Sequence, residues 1–265
     1  MLSNDYVPGA PSWLDLGSRD IQAAAAFYTA VFGWRFESAG PEAGGYGFFQ
    51  LDGETVAALG PLDEDAKSAW TVYFHTTDAD ATTKAVEQAG GTVRFPAAEV
   101  AGESRFAGYT DPDGAEFAVF EPKRTKGLDR VGSLGGLCWT ELTTTDGPAA
   151  KRFYGSVFGW DYEDMPLPED SGAGVYIVAS PTGGGQAQSH AGLMQLGTDM
   201  LPAGSAYWQP YFAVDDCDGV VARTSAGGGS VVVPATDMAG VGRMALLRDP
   251  EEAFFAVLDP LPPTV

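Results

Sequence analysis

The chain has 265 residues, 45% hydrophobic and 19% charged, so it can bury a sizeable core and is not a disordered polypeptide. Its formal net charge of −21 is offset by no basic cluster, which argues against nucleic acid and anionic membranes as partners. No apolar run approaches the ~20 residues of a membrane span, no signal peptide is evident, and the two cysteines, Cys138 and Cys217, form no CxxC, so a cytoplasmic protein with two thiols is expected.

Residues 13–17 alternate as a strand does. Arg19–Phe32 then carries Ile21, Ala24, Ala25, Tyr28, Val31 and Phe32 at helical spacing, with Asp20 in the first turn and Gly33 at the end. Strands are expected near Arg35–Glu37, Tyr46–Leu51 and Thr55–Leu59, the last two joined at Asp52-Gly53, a hairpin signal. The pattern restarts with a strand at Trp70–His75 and a helix at Ala79–Ala89, stopped by Gly90-Gly91. Strands follow near Thr92–Phe95, Ser104–Thr110 and Glu116–Glu121, with Asp111-Pro112-Asp113-Gly114 as the final turn. This is one βαβββ unit followed by another. Two such units side by side curl their strands into a cleft, with helices packed outside.

The whole arrangement then repeats. Trp13, Asp15, Asp20, Phe27-Tyr28 and Val31-Phe32-Gly33-Trp34 reappear 126 positions later as Trp139, Glu141, Asp146, Phe153-Tyr154 and Val157-Phe158-Gly159-Trp160. Trp70, Tyr73-Phe74, Arg105, Asp111-Pro112 and Phe117-Ala118-Val119 reappear 138 positions later as Trp208, Tyr211-Phe212, Arg243, Asp249-Pro250 and Phe255-Ala256-Val257. The second copy therefore has 12 extra residues in its middle, expected in loops around Met165–Ala173 and Pro181–Ser189. A period this long signals domain duplication and not a solenoid. The expected organisation is a first domain over residues 1–125, a linker over 126–136 and a second domain over 137–265, within one α+β chain.

The helix ending in Phe-Tyr-x-x-Val-Phe-Gly-Trp, the Gly-Gly stop and the Asp-Pro turn leading into Phe-Ala-Val resemble the vicinal oxygen chelate superfamily. That superfamily includes glyoxalase I, bleomycin-resistance proteins and extradiol dioxygenases. The resemblance spans roughly Pro11–Glu121 and Gly136–Pro260, and it is similar to two-domain glyoxalase-like proteins of actinobacteria. It implies two tandem domains, each of paired βαβββ modules. Metal-dependent members carry His, Gln or Glu at the start of the first strand, Glu in the last strand and two ligands from the other module. Carried over residue by residue, those positions fall on Trp13 and Trp139, on Ala118 and Ala256, on Thr71 and Gln209, and near Leu59-Gly60 and Gly192-Leu193. Trp and Ala donate nothing to a divalent cation, and a catalytic metal needs about three protein ligands. The expectation is no metal and no cofactor.

Strand parity then predicts what faces the cleft. Copy one offers Trp13, Asp15, Thr71, Tyr73, His75 and Phe120; copy two offers Trp139, Glu141, Gln209 and Tyr211. Arg105 and Arg243 recur in both copies and are further candidate ligand contacts. Asp15 and Glu141 are candidate general bases or acids. The competing reading makes them structural ion-pair partners of Arg105 and Arg243, and the two tryptophans fillers of the space a metal would take. His190, beside a glycine-rich loop, is expected to be exposed. The functional expectation is a metal-independent protein that binds a planar aromatic small molecule, in a resistance or sequestration role. The alternative is a secondary-metabolism enzyme with a cleft carboxylate as general base, and a metal-dependent lyase or dioxygenase ranks behind both. A monomer or weak homodimer is expected.

Overall fold

A computed structural model describes residues 2–62, 66–100, 102–167, 175–201 and 205–261. In chain order, copy one contains β1 (Pro11–Ser18), α1 (Ile21–Phe32), β2 (Arg35–Ser38), β3 (Gly47–Leu51), β4 (Glu54–Pro61), β5 (Ala69–His75), α2 (Ala79–Gln88), β6 (Thr92–Val100), β7 (Ser104–Thr110) and β8 (Glu116–Pro122). Copy two contains β9 (Leu137–Thr144), α3 (Gly147–Phe158), β10 (Trp160–Pro166), β11 (Val175–Pro181), β12 (Ala191–Gln195), β13 (Tyr207–Ala213), α4 (Cys217–Ala226), β14 (Ser230–Met238), β15 (Gly242–Arg248) and β16 (Phe254–Pro260). The βαβββ pattern read from the sequence is thus present four times. Each copy forms an eight-stranded mixed sheet with its helices outside. The strand orders are β2-β3-β4-β1-β5-β8-β7-β6 and β10-β11-β12-β9-β13-β16-β15-β14. Part of the extra segment expected around Met165–Ala173 lies outside the described residues. No described helix is long and apolar enough to cross a membrane.

Local chemistry explains the element ends. Asp20, Asp78, Asp146 and Asp216 each precede a helix, and each side chain accepts a backbone N–H from the first turn. Asp20 is therefore the cap of α1 and not a member of its first turn. Gly33 and Gly159 close α1 and α3 in the left-handed conformation that a β-carbon disfavours. Asp52 and Gly53 both take positive φ, 54° and 83°, which gives the hairpin turn whose twist matches β3 and β4.

Contacts group the chain into two compact units, and each draws on both copies. One unit comprises Met1–Trp13, Thr71–Gly127 and Trp139–Gln209; the other comprises Leu14–Trp70, Leu128–Cys138 and Pro210–Val265. In the first, α2 packs on α3. Trp208 Nε1 donates to Tyr154 Oη at 2.8 Å, and Tyr154 Oη donates to Asp111 Oδ2 at 2.9 Å. In the second, α1 packs on α4, and the matching chain runs from Trp70 Nε1 to Tyr28 Oη at 3.0 Å and on to Asp249 Oδ2 at 3.0 Å. Each aspartate also holds its own turn. Asp111 Oδ1 accepts from the N–H groups of Asp113 and Ala115, and Asp249 Oδ1 from those of Glu251 and Ala253. Each buried tyrosine comes from one copy and its aspartate from the other. Leaving one such buried group unpaired costs about 1–3 kcal/mol.

Burial is the main cause that lifts the Asp249 carboxyl to about 6. A carboxyl raised in the folded state stabilises the fold fully below its unfolded pKa, and the benefit is lost as pH rises through the folded one. Wild-type protein should therefore gain about 2 kcal/mol from this group between pH 7 and pH 4. Asp249→Asn should lack that gain, so its Tm deficit against wild type grows as the pH falls. A deficit independent of pH would contradict the assignment.

Candidate functional site

Glu141 is the centre of the most organised polar group on the strand faces. It lies in β9, 8% exposed, opposite Gly192 of β12. Tyr176 Oη of β11 donates to Glu141 Oε2 at 2.8 Å, and Gln209 Nε2 of β13 donates to Oε1 at 3.1 Å. Trp139, two residues before Glu141 on the same face, donates its Nε1–H to Tyr176 Oη at 2.9 Å. Trp139 and Tyr176 are half-buried, whereas the Glu141 they adjoin is buried. Burial, then the neighbouring Glu141 charge, hold the Tyr176 phenol well above its ordinary pKa, so it stays protonated.

Copy one repeats the central pair. Tyr46 Oη donates to Asp15 Oδ1 at 2.8 Å, and Asp15 lies opposite Ala58 of β4. Strand register makes Ala58 the counterpart of Gly192. The two tyrosines are unforeseen in the sequence reading because they stand 130 positions apart, which matches neither the 126- nor the 138-residue offset. The usable signal was chemical: one tyrosine per copy just before the third strand or at its start.

The structure brings Trp13, Tyr73 and Phe120 together, as strand parity requires. Trp13 stacks on Phe120 at 5.5 Å between ring centres, Phe120 meets Phe106 at 5.3 Å, and Tyr73 meets Phe106 at 5.4 Å. Trp13 is only 3% exposed, so its ring is largely covered by its neighbours. Thr71 is half-buried on the same strand as Tyr73, and buried His75 stacks on Tyr6 at 6.3 Å. Tyr211 is buried opposite Ala256, and its carbonyl accepts from Cys138 Sγ at 3.3 Å.

Three expectations are corrected. Arg105 does not meet Asp15 or a ligand face: it pairs with Glu121 and with Asp80 of α2, both at 2.9 Å. It lies opposite Glu121 in register, and Glu121 also accepts the Ala79 N–H at the start of α2, so both belong to the helix side of the sheet. Arg243 likewise pairs with Asp218 of α4 and with Asp237, not with Glu141. His190 is not exposed: it is 2% accessible, edge-on to Trp160 at 5.1 Å, and neither ring nitrogen has a hydrogen-bond partner among the described residues.

The residues at the family's metal positions do not fit a divalent cation. Trp139, Gly192 and Gln209 offer one neutral amide, whose nitrogen is turned to Glu141. A β-carbon placed on Gly192 would lie 1.8 Å from Tyr176 Oη, so the phenol already fills that space. Trp13, Thr71 and Ala118 offer one hydroxyl. Among the described residues no group of three or more His, Cys, Asp or Glu side chains is placed to hold a metal.

The fold and this strand-face arrangement define a tandem glyoxalase-like protein. Residues 13–120 match the glyoxalase-like domain, and residues 136–257 match the glyoxalase/bleomycin resistance protein/dioxygenase superfamily. The chain belongs to that superfamily. It is 34% identical to the putative glyoxylase CFP32 of Mycobacterium tuberculosis over 98% of both chains. It is 39% identical to the anthracycline biosynthesis protein DauV of Streptomyces sp. strain C5, over 96% of this chain and 94% of DauV. Two solved structures share the fold. One is 2,2',3-trihydroxybiphenyl 1,2-dioxygenase of Sphingomonas wittichii (TM-score 0.66, 14% identity, 96% and 91% of the two chains). The other is the Mn(II)-bound glyoxalase of Novosphingobium aromaticivorans (TM-score 0.65, 18% identity, 97% and 84%).

Burial pushes the His190 imidazole down to about 4. A histidine depressed in the folded state stabilises the fold above its unfolded pKa, and this is lost as pH falls through the folded one. Wild type should lose about 3 kcal/mol from this group between pH 6.5 and pH 4. His190→Leu should narrow or reverse its Tm difference from wild type across that window, and a constant difference would contradict the assignment.

Proposed function

We propose that this protein binds a planar, oxygen-bearing aromatic small molecule without a divalent metal, in a sequestering or resistance role within secondary metabolism. The observation that carries this reading is the phenol–carboxylate pair, Tyr46–Asp15 in one copy and Tyr176–Glu141 in the other. It stands beside the strand positions where metal-dependent relatives keep their ligands. Aromatic rings on the same faces supply stacking, and the hydroxyls supply a few fixed polar contacts, the usual recipe for a flat organic ligand. The relatives DauV and DnrV, both named for anthracycline biosynthesis, favour a fused-ring ligand. A second reading, a metal-free enzyme that moves a proton, is favoured by the burial of Glu141 directly behind the Tyr176 hydroxyl.

Titration with 1,4-dihydroxyanthraquinone should quench tryptophan fluorescence saturably, and a chelator should leave the curve unchanged. At 100 times its Kd such a ligand adds about 2.7 kcal/mol to stability, a rise of several degrees in Tm. Absence of both signals, or their loss on chelation, would count against the reading.

A further inference from the structure

We propose that the helix side of the second copy carries its own binding groove for a small organic monoanion with an apolar body, such as an aromatic carboxylate. The groove does not depend on the strand-face reading above. A cavity of about 700 Å³ lies between α3 and the strands β10 to β12, large enough for a compact organic molecule. Its floor is apolar: Pro148 in the first turn of α3, Val175 and Ile177 of β11, and Leu196 just after β12. Val175 and Ile177 alternate with Tyr176 along β11, so the groove opens on the sheet face opposite to the Tyr176 phenol. Val175 is 38% exposed, an apolar side chain bordering open space.

The polar wall favours an anion. Lys151 and Arg152 stand three and four residues after Pro148, on one face of α3. Lys151 is paired with Asp164 of β10, the acidic side chain of the wall, so a cationic ligand finds that carboxylate taken. The Arg152 side chain has no ion pair or hydrogen bond among the described residues, which leaves the groove with one uncompensated positive charge. Gln195, at the end of β12, accepts the Gly147 N–H on Oε1 at 3.1 Å, so its amide is held in place with Nε2 left to donate. A guanidinium beside a fixed amide donor suits a carboxylate, since hydrogen bonds between charged partners are about twice as strong as neutral ones. A formal net charge of −21 on the chain disfavours a second negative charge on the ligand.

The duplication shows that this wall is no requirement of the fold. At the matching positions of the first copy, Ile21, Ala25 and Ala26 stand for Gly147, Lys151 and Arg152, and Pro61 stands for Gln195. A β-carbon on Gly147 would lie 3.0 Å from Gln195 Oε1 and 3.1 Å from Ile177 Cδ1, so the glycine lets the amide and the floor approach the start of α3. With neither cation nor amide in the first copy, one site per chain is expected.

Isothermal titration with 2-naphthoate tests the groove. Wild type should bind one equivalent saturably, and the uncharged 2-naphthamide should bind about tenfold more weakly or worse, the scale of one lost charge-assisted hydrogen bond. Arg152→Gln should weaken naphthoate by about the same factor with Tm unchanged, because the wild-type guanidinium has no partner to lose. Val175→Trp should fill the groove and abolish binding, with circular dichroism showing it folded. Raising the ionic strength from about 0.01 M to about 1 M should weaken binding, as screening shortens from ~30 Å to ~3 Å. Saturating 1,4-dihydroxyanthraquinone should leave the naphthoate affinity unchanged; competition between the two would put naphthoate on the strand face and overturn the second site. No saturable heat, equal affinity for the amide, or wild-type affinity in either folded variant would each overturn the proposal.

Discussion

The Trp–Tyr–Asp hydrogen-bond chain is the constraint on which the rest of the molecule depends. Two phenols are fully buried in aromatic interiors, and each can be buried only because its hydroxyl both accepts and donates. The acceptor is an aspartate already tied to two N–H groups of a tight turn, so the turn before β8 or β16 is fixed by the same side chain that satisfies the tyrosine. Because tyrosine and aspartate belong to different copies, the two copies need each other to satisfy their interiors. The chain Trp208–Tyr154–Asp111 and its counterpart Trp70–Tyr28–Asp249 thus fix helices and hairpins together, and the strand faces inherit their positions from that frame.

With the frame fixed by residues that recur in both copies, the site residues are free to differ. Both copies keep a phenol on a carboxylate, and in copy two an indole N–H and an amide join it. In each copy a glycine leaves room for the tyrosine, Gly60 for the Tyr46 ring and Gly192 for the Tyr176 hydroxyl, because close-packed interiors do not absorb an added carbon.

Much of the fold was legible in the sequence because its signals are local: the capping aspartates, the Asp-Gly hairpin, the period-2 strands and the two constant offsets. Trp13, Tyr73 and Phe120 were placed on one face by parity alone. What stayed hidden was tertiary. Arg105 and Arg243 looked like ligand contacts because their recurrence says nothing of which sheet face they occupy; the acidic first turns of α2 and α4 claim them. His190 follows a glycine-rich stretch that reads as surface, yet its ring ends against Trp160. Tyr46 and Tyr176 fell in the interval where the repeat changes register, so neither constant offset pairs them.

The distribution of each compact unit along the chain has a bearing on synthesis. One unit combines residues 14–70 with residues 210–265. When the ribosome has completed the first copy, Tyr28 still lacks Asp249, which lies near the end of the second copy. The first copy must therefore wait, partly assembled, until the second is nearly made. A nascent chain that stops before Asp249 would leave the Tyr28 phenol unpaired on an unfinished core, a natural point of engagement for chaperones and of vulnerability to proteases.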